Sequence, residues 1–288
     1  MSIENWKQKG AYFSFKEHRI FYLREGKGEV LLLVHGFPTS SWDWHKIWPA
    51  LTLRYHIVAA DMLGFGFSDK PAGHPYSIFE QADLQEALLN HLQIDAVHIL
   101  AHDYGNTVTQ ELMARSLEGK DHPLIRSVCF LNGGLFPEAH KPRLIQELLA
   151  GPLGGLIIHF MSKRNLKRSF HNIFGPATPP SEEEIDSFWK LITYNKGKRA
   201  LPRLLSYIKE RKLNRQRWVN ALQKTDVPLR LINGPKDPIS GRHMAEYYRQ
   251  QIPRPDVVLL PGIGHYPQIE LPNAVLDHFL AFLEKRSI

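Results

Sequence analysis

The chain has 288 residues, of which 43% are hydrophobic and 23% charged, and such a composition is typical of a soluble globular protein. No stretch reaches the roughly 18 consecutive apolar residues of a membrane-spanning helix, and the opening sequence MSIENWKQKG lacks the apolar core of a signal peptide. The lone cysteine, Cys129, excludes an internal disulfide and gives no sign of an oxidising compartment. We therefore expect a soluble, cytoplasmic protein without a membrane span.

The net charge of +7 is unevenly distributed. Residues 135–225 hold 17 Lys and Arg against 7 Asp and Glu, whereas the rest of the chain holds 19 against 22. Such a basic segment could bind a nucleic acid or a membrane surface. Pairs such as Lys163-Arg164 and Arg211-Lys212 stand between apolar residues at helical spacing, which favours a solvated helical face. Because no nucleic-acid-binding signature accompanies the basic residues, we expect no nucleic-acid partner.

Strands and helices alternate in the first half of the chain. Short apolar or alternating runs predict strands, and apolar residues recurring at intervals of three and four predict helices. Strands are predicted at residues 11–15, 19–23, 29–34, 56–60, 97–101 and 125–131, and helical segments at 42–53, at 79–92 and from Asn106 onward. This alternation predicts an α/β fold with a mostly parallel, doubly wound sheet and right-handed crossovers.

The alternation is interrupted in the second half. Residues 135–225 have a helical pattern broken by Gly-Pro and Pro-Pro pairs, and strands resume only at 228–233 and 256–260, covered by helices at 241–251 and 271–285. A helical insertion between strands of a parallel sheet lies over their carboxyl ends, where open α/β sheets bind ligands. We predict a core made of residues 1–134 and 226–288 and an inserted helical lid made of residues 135–225.

The turn after the strand at 97–101 has the pattern of a nucleophile elbow. In the sequence AHDYG, small residues stand two places before and two places after Asp103, as a strained strand-to-helix turn requires. An aspartate at the tip is ionised at neutral pH and needs no base before it attacks. The alternative role for Asp103 is that of a helix N-cap, for which Asp is well suited.

Two further groups stand at the ends of later strands. Asp237 follows the strand at 228–233, and His265 follows the strand at 256–260. Either could be an ordinary turn residue, but the order nucleophile, acid, histidine is that of the α/β-hydrolase triad. We therefore predict a catalytic triad of Asp103, Asp237 and His265.

These motifs resemble those of α/β-hydrolases of the epoxide hydrolase and haloalkane dehalogenase branch, over essentially the whole chain. The matching segments are the HGFP turn at residues 35–38, the glycine-punctuated loop at 61–68, the Asp elbow and the two late triad positions. Longer segments, among them HGFPTSSWDWHKIW and LGFGFSDKP, are similar to the mesoderm-specific transcript group of vertebrates and its bacterial relatives. The resemblance implies an α/β-hydrolase fold, no cofactor or metal, and a small apolar organic substrate that reacts with water.

The resemblance also implies a mechanism. An aspartate nucleophile in this branch displaces a group at saturated carbon and forms a covalent alkyl ester, which for this chain would form on Asp103. His265 would then deprotonate the water that hydrolyses the ester, and Asp237 would hold the histidine tautomer. The backbone N–H groups of Phe37 and Tyr104 would receive the oxyanion, as they do in the family.

The leaving group is less well specified. Dehalogenases of this branch place Trp after the nucleophile and Asn or Trp after the His-Gly pair, whereas this chain has Tyr104 and Phe37, which argues against dehalogenation. Epoxide hydrolases use two lid tyrosines as proton donors. Tyr207 stands near the second of these positions, His159 stands where the first belongs, and Tyr194 is the other tyrosine of the lid.

We expect the substrate to contact Tyr207, Tyr194 and His159 of the lid and His35 and Trp42 of the core. Three functions remain open: an epoxide hydrolase-like enzyme, a dehalogenase or an esterase or lactonase with the same triad, and a non-catalytic binding protein on this fold. The complete triad counts against a pure binder, because binding does not require Asp, Asp and His together. The sequence does not define an oligomeric state.

Overall fold

A single eight-stranded sheet organises the computed structural model, which describes residues 1–119 and 122–284. The strand order is β1-β2-β4-β3-β5-β6-β7-β8. Strand β2 is antiparallel to β1 and β4, and the other neighbouring strands are parallel. The strands are β1 (Ala11–Phe15), β2 (His18–Glu25), β3 (Val30–Val34), β4 (His56–Ala60), β5 (Ala96–Ala101), β6 (Leu124–Phe130), β7 (Leu229–Asn233) and β8 (Val257–Leu259).

Helices connect the strands and cover the sheet. Those outside the β6–β7 connection are α1 (Ile3–Lys9), α2 (Trp48–Thr52), α3 (Ile78–His91), α4 (Tyr104–Leu117), α12 (Arg242–Gln251), α13 (Pro267–Glu270) and α14 (Pro272–Glu284). The β6–β7 connection contains α5 (Leu144–Ala150), α6 (Gly154–Ile157), α7 (Lys163–His171), α8 (Glu182–Thr193), α9 (Leu201–Leu204), α10 (Tyr207–Leu213) and α11 (Arg215–Lys224). Short 3₁₀ helices occur at Ser41–Trp44, Ile158–Phe160 and Tyr194–Arg199. No helix in the described parts of the chain is long and apolar enough to cross a membrane.

The predicted α/β class and doubly wound sheet are confirmed. Each predicted strand lies within two residues of the observed one at either end, and β1 and β4 coincide with their predictions. Helix α1 was not predicted; it begins after Ser2, whose hydroxyl accepts from the Asn5 N–H at 3.2 Å, and it buries Trp6. The predicted end of the last helix at residue 285, and the last residues of the predicted core, lie outside the described residues.

The central strands are buried on both faces. Leu31, Leu32, Leu33 and Val34 of β3 are fully inaccessible. Because helices cover both faces of a parallel sheet, its strands consist of continuous apolar runs rather than alternating ones, and the EVLLLV sequence follows this rule.

The topology brings five chain segments to one edge of the sheet. Strand β3 has β4 on one side and β5 on the other, so the strand order reverses between β3 and β5. In such sheets the reversal opens a crevice at the carboxyl ends of the strands. The turn at residues 35–38 follows β3 and Asp103 follows β5, while the segments after β6, β7 and β8 end at the same edge.

Candidate active site

Asp103 stands in a strained turn between β5 and α4. Its backbone has φ +47° and ψ −106°, a region that non-glycine residues rarely adopt. The close packing depends on small neighbours, since a Cβ on Gly105 would lie 2.3 Å from the Val34 carbonyl oxygen and one on Gly133 would lie 2.7 Å from the Asp103 Cα. The Asp103 side chain makes no capping hydrogen bond to α4, so the N-cap role is not the one it performs.

The three predicted triad residues meet at the sheet edge. His265 Nδ1 donates to Asp237 Oδ2 at 2.7 Å, and His265 Nε2 lies 3.7 Å from Asp103 Oδ1. All three side chains are buried, with Asp103 only 4% exposed. The imidazole therefore stands between two carboxylates, hydrogen-bonded to one and close to the other.

Asp237 is held by a set of hydrogen bonds that fixes its orientation. Its Oδ1 accepts from the Ile239 N–H at 2.7 Å, and its Oδ2 accepts from the Ser240 hydroxyl at 2.6 Å and from Asn132 Nδ2 at 3.0 Å. Asn132 also accepts from the Gly234 N–H at 2.7 Å, which ties the end of β6 to the Asp237 loop. Sequence reasoning missed Asn132 and Ser240, although a polar residue directly after β6 was a signal for the first.

The charges of the triad shift its pKa values in opposite directions. Burial alone would lower the pKa of His265, but the negative charges of Asp237 and Asp103 outweigh burial and raise it to about 9. Burial would raise the pKa of Asp237, but the charge of His265 and the hydrogen bonds to the carboxylate hold it well below its ordinary value. In the resting protein at neutral pH, His265 is thus an imidazolium between two carboxylates.

One backbone N–H group is hydrogen-bonded to the Asp103 carboxylate, and a second lies directly after it in the chain. The Phe37 N–H donates to Asp103 Oδ2 at 3.0 Å. The Tyr104 N–H belongs to the first residue of α4 and so has no acceptor within the helix. A Cβ on Gly36 would lie 2.9 Å from the Asp103 Cβ, so the turn before Phe37 can approach the elbow only with glycine there.

A cavity of about 240 Å³ opens onto Asp103 and His265. The β6–β7 connection contributes most of its wall, and the sheet edge contributes the floor. The lining residues are Phe37, Pro38, Asp103, Ile239 and His265 from the core and Arg143, Ile145, Gln146, Leu149, Ile157, Phe160, Met161, Asn165, Leu166, Ser169, Phe170, Ile173 and Leu201 from the helical connection. Most of these side chains are apolar, which suits an apolar substrate.

Of the predicted lid contacts, Tyr207 lies nearest to the elbow. Its ring packs at centroid distances of 6.3 Å from Phe37 and 5.0 Å from Tyr104, and its hydroxyl is buried without a hydrogen-bond acceptor in the described residues. Burial raises the pKa of Tyr207 and the charge of Asp103 raises it further, so the hydroxyl stays protonated at neutral pH. The Tyr207 phenol is therefore protonated and lies close to Asp103, but it is fully buried and is not among the residues that line the cavity.

Tyr194 and His159, the other predicted lid contacts, do not line this cavity. The ring of Tyr194 packs against Phe67 at 5.1 Å and faces Lys7 and Lys70, beside a separate surface cavity. His159 is exposed, although the nearby Ile157 and Phe160 contribute to the wall. The reason is helical geometry, because adjacent residues on a helical segment point in different directions.

The two predicted core contacts are structural. His35 is buried; its Nε2 accepts from the Met62 N–H at 3.0 Å and its Nδ1 donates to the Gly36 carbonyl at 2.8 Å. Trp42 stacks on His45 at 3.8 Å and donates to the Met1 carbonyl at 3.1 Å. Neither side chain lines the cavity, and His35 instead fixes the turn that carries Phe37.

Two residues that sequence reasoning missed hold the His265 loop in place. His102, directly before the nucleophile position, donates from Nε2 to the His265 carbonyl at 2.8 Å. Glu270 accepts from the Gly175 N–H at 2.7 Å and from the Gly264 N–H at 2.9 Å. Glu270 therefore joins the helical connection to the His265 loop, and no local sequence pattern indicates such a contact.

The basic surface of the helical connection is only partly as expected. Lys163 forms an ion pair with Asp186 and remains about half exposed, in agreement with a solvated face. Arg211 contradicts the prediction, because it is only 2% exposed and points into the protein. It lies one helical turn after Tyr207 on α10, on the buried face of that helix. Within the described residues, no group of three or more His, Cys, Asp and Glu side chains is arranged to hold a metal ion.

Comparisons with known proteins agree with the observed fold. A family described as the α/β hydrolase fold matches residues 29–272. The mesoderm-specific transcript homolog protein of Bos taurus is 44% identical over 98% of this chain and 88% of its own length, and LipZ of Mycobacterium tuberculosis is 39% identical over 98% of each chain. The solved structure of the epoxide hydrolase CorEH without ligand has a TM-score of 0.79 at 19% identity, covering 96% of this chain and 98% of that chain, which shows a shared fold alone.

Proposed function

Because this chain belongs to the α/β-hydrolase family, we propose that it is a cofactor-independent hydrolase that opens epoxides through a covalent ester on Asp103. The helical connection of residues 135–225 acts as a lid over the cavity. The observation that supports this function best is the pairing of a buried, strained aspartate with His265 Nε2 at 3.7 Å and with the Phe37 N–H at 3.0 Å.

The first half-reaction is displacement at carbon. The Phe37 N–H holds Oδ2 of Asp103, which leaves Oδ1 to form the new bond to an epoxide carbon. The ring C–O bond breaks, and the ring oxygen takes a proton from the Tyr207 hydroxyl. No base is needed, because the carboxylate is already ionised.

The second half-reaction is hydrolysis of the ester. Alkylation removes the negative charge of Asp103 beside His265, so the pKa of the imidazole falls and the imidazolium releases its proton to solvent, while the Tyr207 phenolate takes one up. The neutral Nε2 can then accept a proton from water. The resulting hydroxide attacks Cγ of Asp103, and the oxyanion accepts hydrogen bonds from the Phe37 and Tyr104 N–H groups. Collapse expels the alkoxide, which takes the proton from His265 and leaves as the diol. The carboxylic acid that remains on Asp103 then gives its proton to His265, which restores the carboxylate and the imidazolium.

Dehalogenation with the same triad is the alternative, and the site residues favour it less. A leaving halide requires N–H donors such as indole groups beside the nucleophile, yet Tyr104 and Phe37 occupy the two relevant positions. The nearby Trp42 already donates its indole N–H to the Met1 carbonyl. A non-catalytic binder would not require the Asp237–His265 hydrogen bond or the strained Asp103 backbone.

The test traps the ester. In His265→Gln the carboxylate can still attack but water is not activated, so incubation with a panel of epoxides should give an adduct by intact-protein mass spectrometry, on the peptide that contains Asp103. The matched control, Asp103→Asn in the same background, should give no adduct. A folded His265→Gln protein that forms no adduct with any epoxide would contradict the proposed function and favour the binder.

A further inference from the structure

A group of exposed apolar side chains lies on the helical connection, within residues 144–160. Its members, which we call the apolar patch, are Leu144 (70% exposed), Ile145 (44%), Leu148 (48%), Leu153 (66%), Leu156 (63%) and Phe160 (75%). The seven other exposed large apolar side chains of the described residues are scattered over the rest of the chain. Exposed apolar side chains that are grouped in this way mark an interaction surface.

The apolar patch borders the cavity that opens onto Asp103. Ile145 and Phe160 belong to the patch and also line the cavity. Because both side chains are exposed, they stand at the opening of the cavity. Helix α6 packs closely on the end of α5, since a Cβ on Gly154 would lie 1.8 Å from the Leu149 carbonyl oxygen. The patch and the cavity opening are therefore parts of one surface.

The segment that carries the patch is strongly basic. Residues 141–171 hold six Lys and Arg but only one Asp or Glu, which is Glu147. Two of the six cations pair with carboxylates of α8. The cations of this segment that form no ion pair with any described residue are Lys141, Arg143, Arg164 and Arg168.

The unpaired arginines stand beside the cavity opening. Arg143 is itself among the lining residues. Arg164 and Arg168 are four residues apart on α7 and so share one face of that helix. The residues that follow them, Asn165 and Ser169, line the cavity and are exposed. A surface that combines exposed leucines and phenylalanine with unpaired Lys and Arg is typical of proteins that bind anionic membranes.

The charge and the cavity together decide which partner fits the patch. A second copy of the chain would bring its own unpaired cations against those of the first, and like charges that face each other oppose binding. A folded protein seated on Ile145 and Phe160 would close the cavity opening. A fluid bilayer accommodates the leucines, supplies anionic groups for the arginines and holds dissolved apolar molecules directly opposite the opening.

We propose that the apolar patch docks on the surface of a bilayer that contains anionic phospholipids, and that apolar molecules pass from the bilayer into the cavity. The leucines and Phe160 enter the boundary between head groups and acyl chains, while Arg164 and Arg168 remain among the lipid phosphates. Docking does not require the reaction at Asp103. Its test is therefore independent of the test of the proposed function.

The experiment measures binding of the full chain to unilamellar vesicles by flotation, over a series of lipid concentrations. Vesicles of equal parts phosphatidylglycerol and phosphatidylcholine should bind the protein. Vesicles of phosphatidylcholine alone should bind it about 100-fold more weakly, because each Lys or Arg near an anionic surface contributes a factor of about five. Raising the salt concentration to about 0.5 M should weaken binding to the anionic vesicles, because salt screens these charges.

Two double variants test the two components of the surface. Leu153→Ser/Leu156→Ser should weaken binding to the anionic vesicles about 30-fold, because it removes apolar area that docking buries. Arg164→Gln/Arg168→Gln should weaken it about 25-fold, through the loss of two charges. None of these four residues lines the cavity, so the variants leave its wall intact.

The matched controls make the same substitutions at the opposite edge of the sheet from Asp103. Leu53 and Leu124 are 86% and 60% exposed and lie at the amino ends of β4 and β6. Arg24, which pairs with the start of β4, and Arg254, shortly before β8, are also exposed. Leu53→Ser/Leu124→Ser and Arg24→Gln/Arg254→Gln should each change vesicle binding by about twofold or less, because this edge does not face the bilayer.

Several outcomes would overturn the proposal. The wild type would fail to bind the anionic vesicles, or the control variants would weaken binding as much as the patch variants. A wild-type dimer in solution that Leu153→Ser/Leu156→Ser dissociates, measured by analytical ultracentrifugation, would show instead that a second copy covers the patch. Circular dichroism shows whether each variant is folded. If a double variant does not fold, the single substitutions Leu153→Ser and Arg168→Gln provide the same test, because exposed side chains contribute little to stability.

Discussion

The protonation of His265 depends on the charges of two neighbouring carboxylates, with Asp237 contributing more than Asp103. In the resting protein its pKa of about 9 reflects the carboxylates of Asp237 and Asp103. The imidazole is then charged at neutral pH and cannot act as a base. In the proposed mechanism, esterification of Asp103 would remove one of these charges, so His265 would become a base only once there is an ester to hydrolyse. This order of events would prevent water activation before Asp103 has reacted.

The raised pKa of His265 also predicts a pH-dependent stability. The folded-state value of about 9 lies above the ordinary value of 6.5, so the folded state retains a proton that the unfolded state releases. The stabilisation is complete below pH 6.5 and is lost as the pH rises through 9. The free energy of unfolding of the wild type, relative to His265→Gln, should therefore fall by up to about 3 kcal/mol between pH 6.5 and 9.5. Urea unfolding at a series of pH values measures this difference, and a pH-independent difference would contradict the triad geometry.

Residue patterns predicted the triad because each member follows a strand. Parallel strands end at one edge, so Asp103, Asp237 and His265 had to converge once the strands were identified. No such sequence pattern predicts the side chains that hold the triad residues in place. The Asn132 bond to Asp237 and the His102 bond to the His265 carbonyl join residues 105 and 163 positions apart. Such contacts depend on the folded arrangement and leave no local pattern.

Among the structural elements, the helices of residues 135–225 were predicted from the sequence, but the way in which they pack was not. Arg211 shows the difference, because a charged residue beside Lys212 on a helix was expected to face solvent and instead faces Tyr207. The direction of a short helix depends on the elements that it packs against, and helix periodicity alone does not contain that information. Tyr194 was expected at the site because it is one of the two tyrosines in residues 135–225, and residue type alone does not show which way its ring faces.

Glu270 connects two structural elements through a contact that the sequence did not predict. Its carboxylate accepts four hydrogen bonds, from the Gly175, Gly264 and Tyr266 N–H groups and from the Thr178 hydroxyl. These bonds tie the end of the α7 region to the loop that carries His265.

Glu270→Ala should therefore lower the free energy of unfolding by about 3 kcal/mol, because buried N–H groups lose a charged acceptor. Chemical denaturation monitored by circular dichroism measures the change. The control is Glu284→Ala, which removes an exposed ion pair with Arg54 and should cost less than about 1 kcal/mol. A cost for Glu270→Ala no larger than that of the control would show that the link does not hold the loop.

For the molecule as a whole, the fold places the Asp103 carboxylate and His265 beneath an apolar cavity. The sheet edge supplies Asp103 and His265, and the helical connection supplies most of the apolar wall. The arrangement could be predicted from the sequence because a long helical insertion between β6 and β7 must lie over that edge. The shape of the cavity could not be predicted from the sequence, because it depends on which side of each short helix faces inward.

The central claim is that Asp103 itself forms a bond to the substrate carbon. The most direct measurement is a single turnover of a substrate epoxide in heavy-oxygen water with enzyme in excess, followed by mass spectrometry of the Asp103 peptide and of the product. The proposed mechanism predicts that the label enters the Asp103 carboxylate, while the first product carries ordinary oxygen from the enzyme. Label in the product of that first turnover, with an unlabelled Asp103 peptide, would mean that water attacks the substrate directly and would contradict the proposed mechanism.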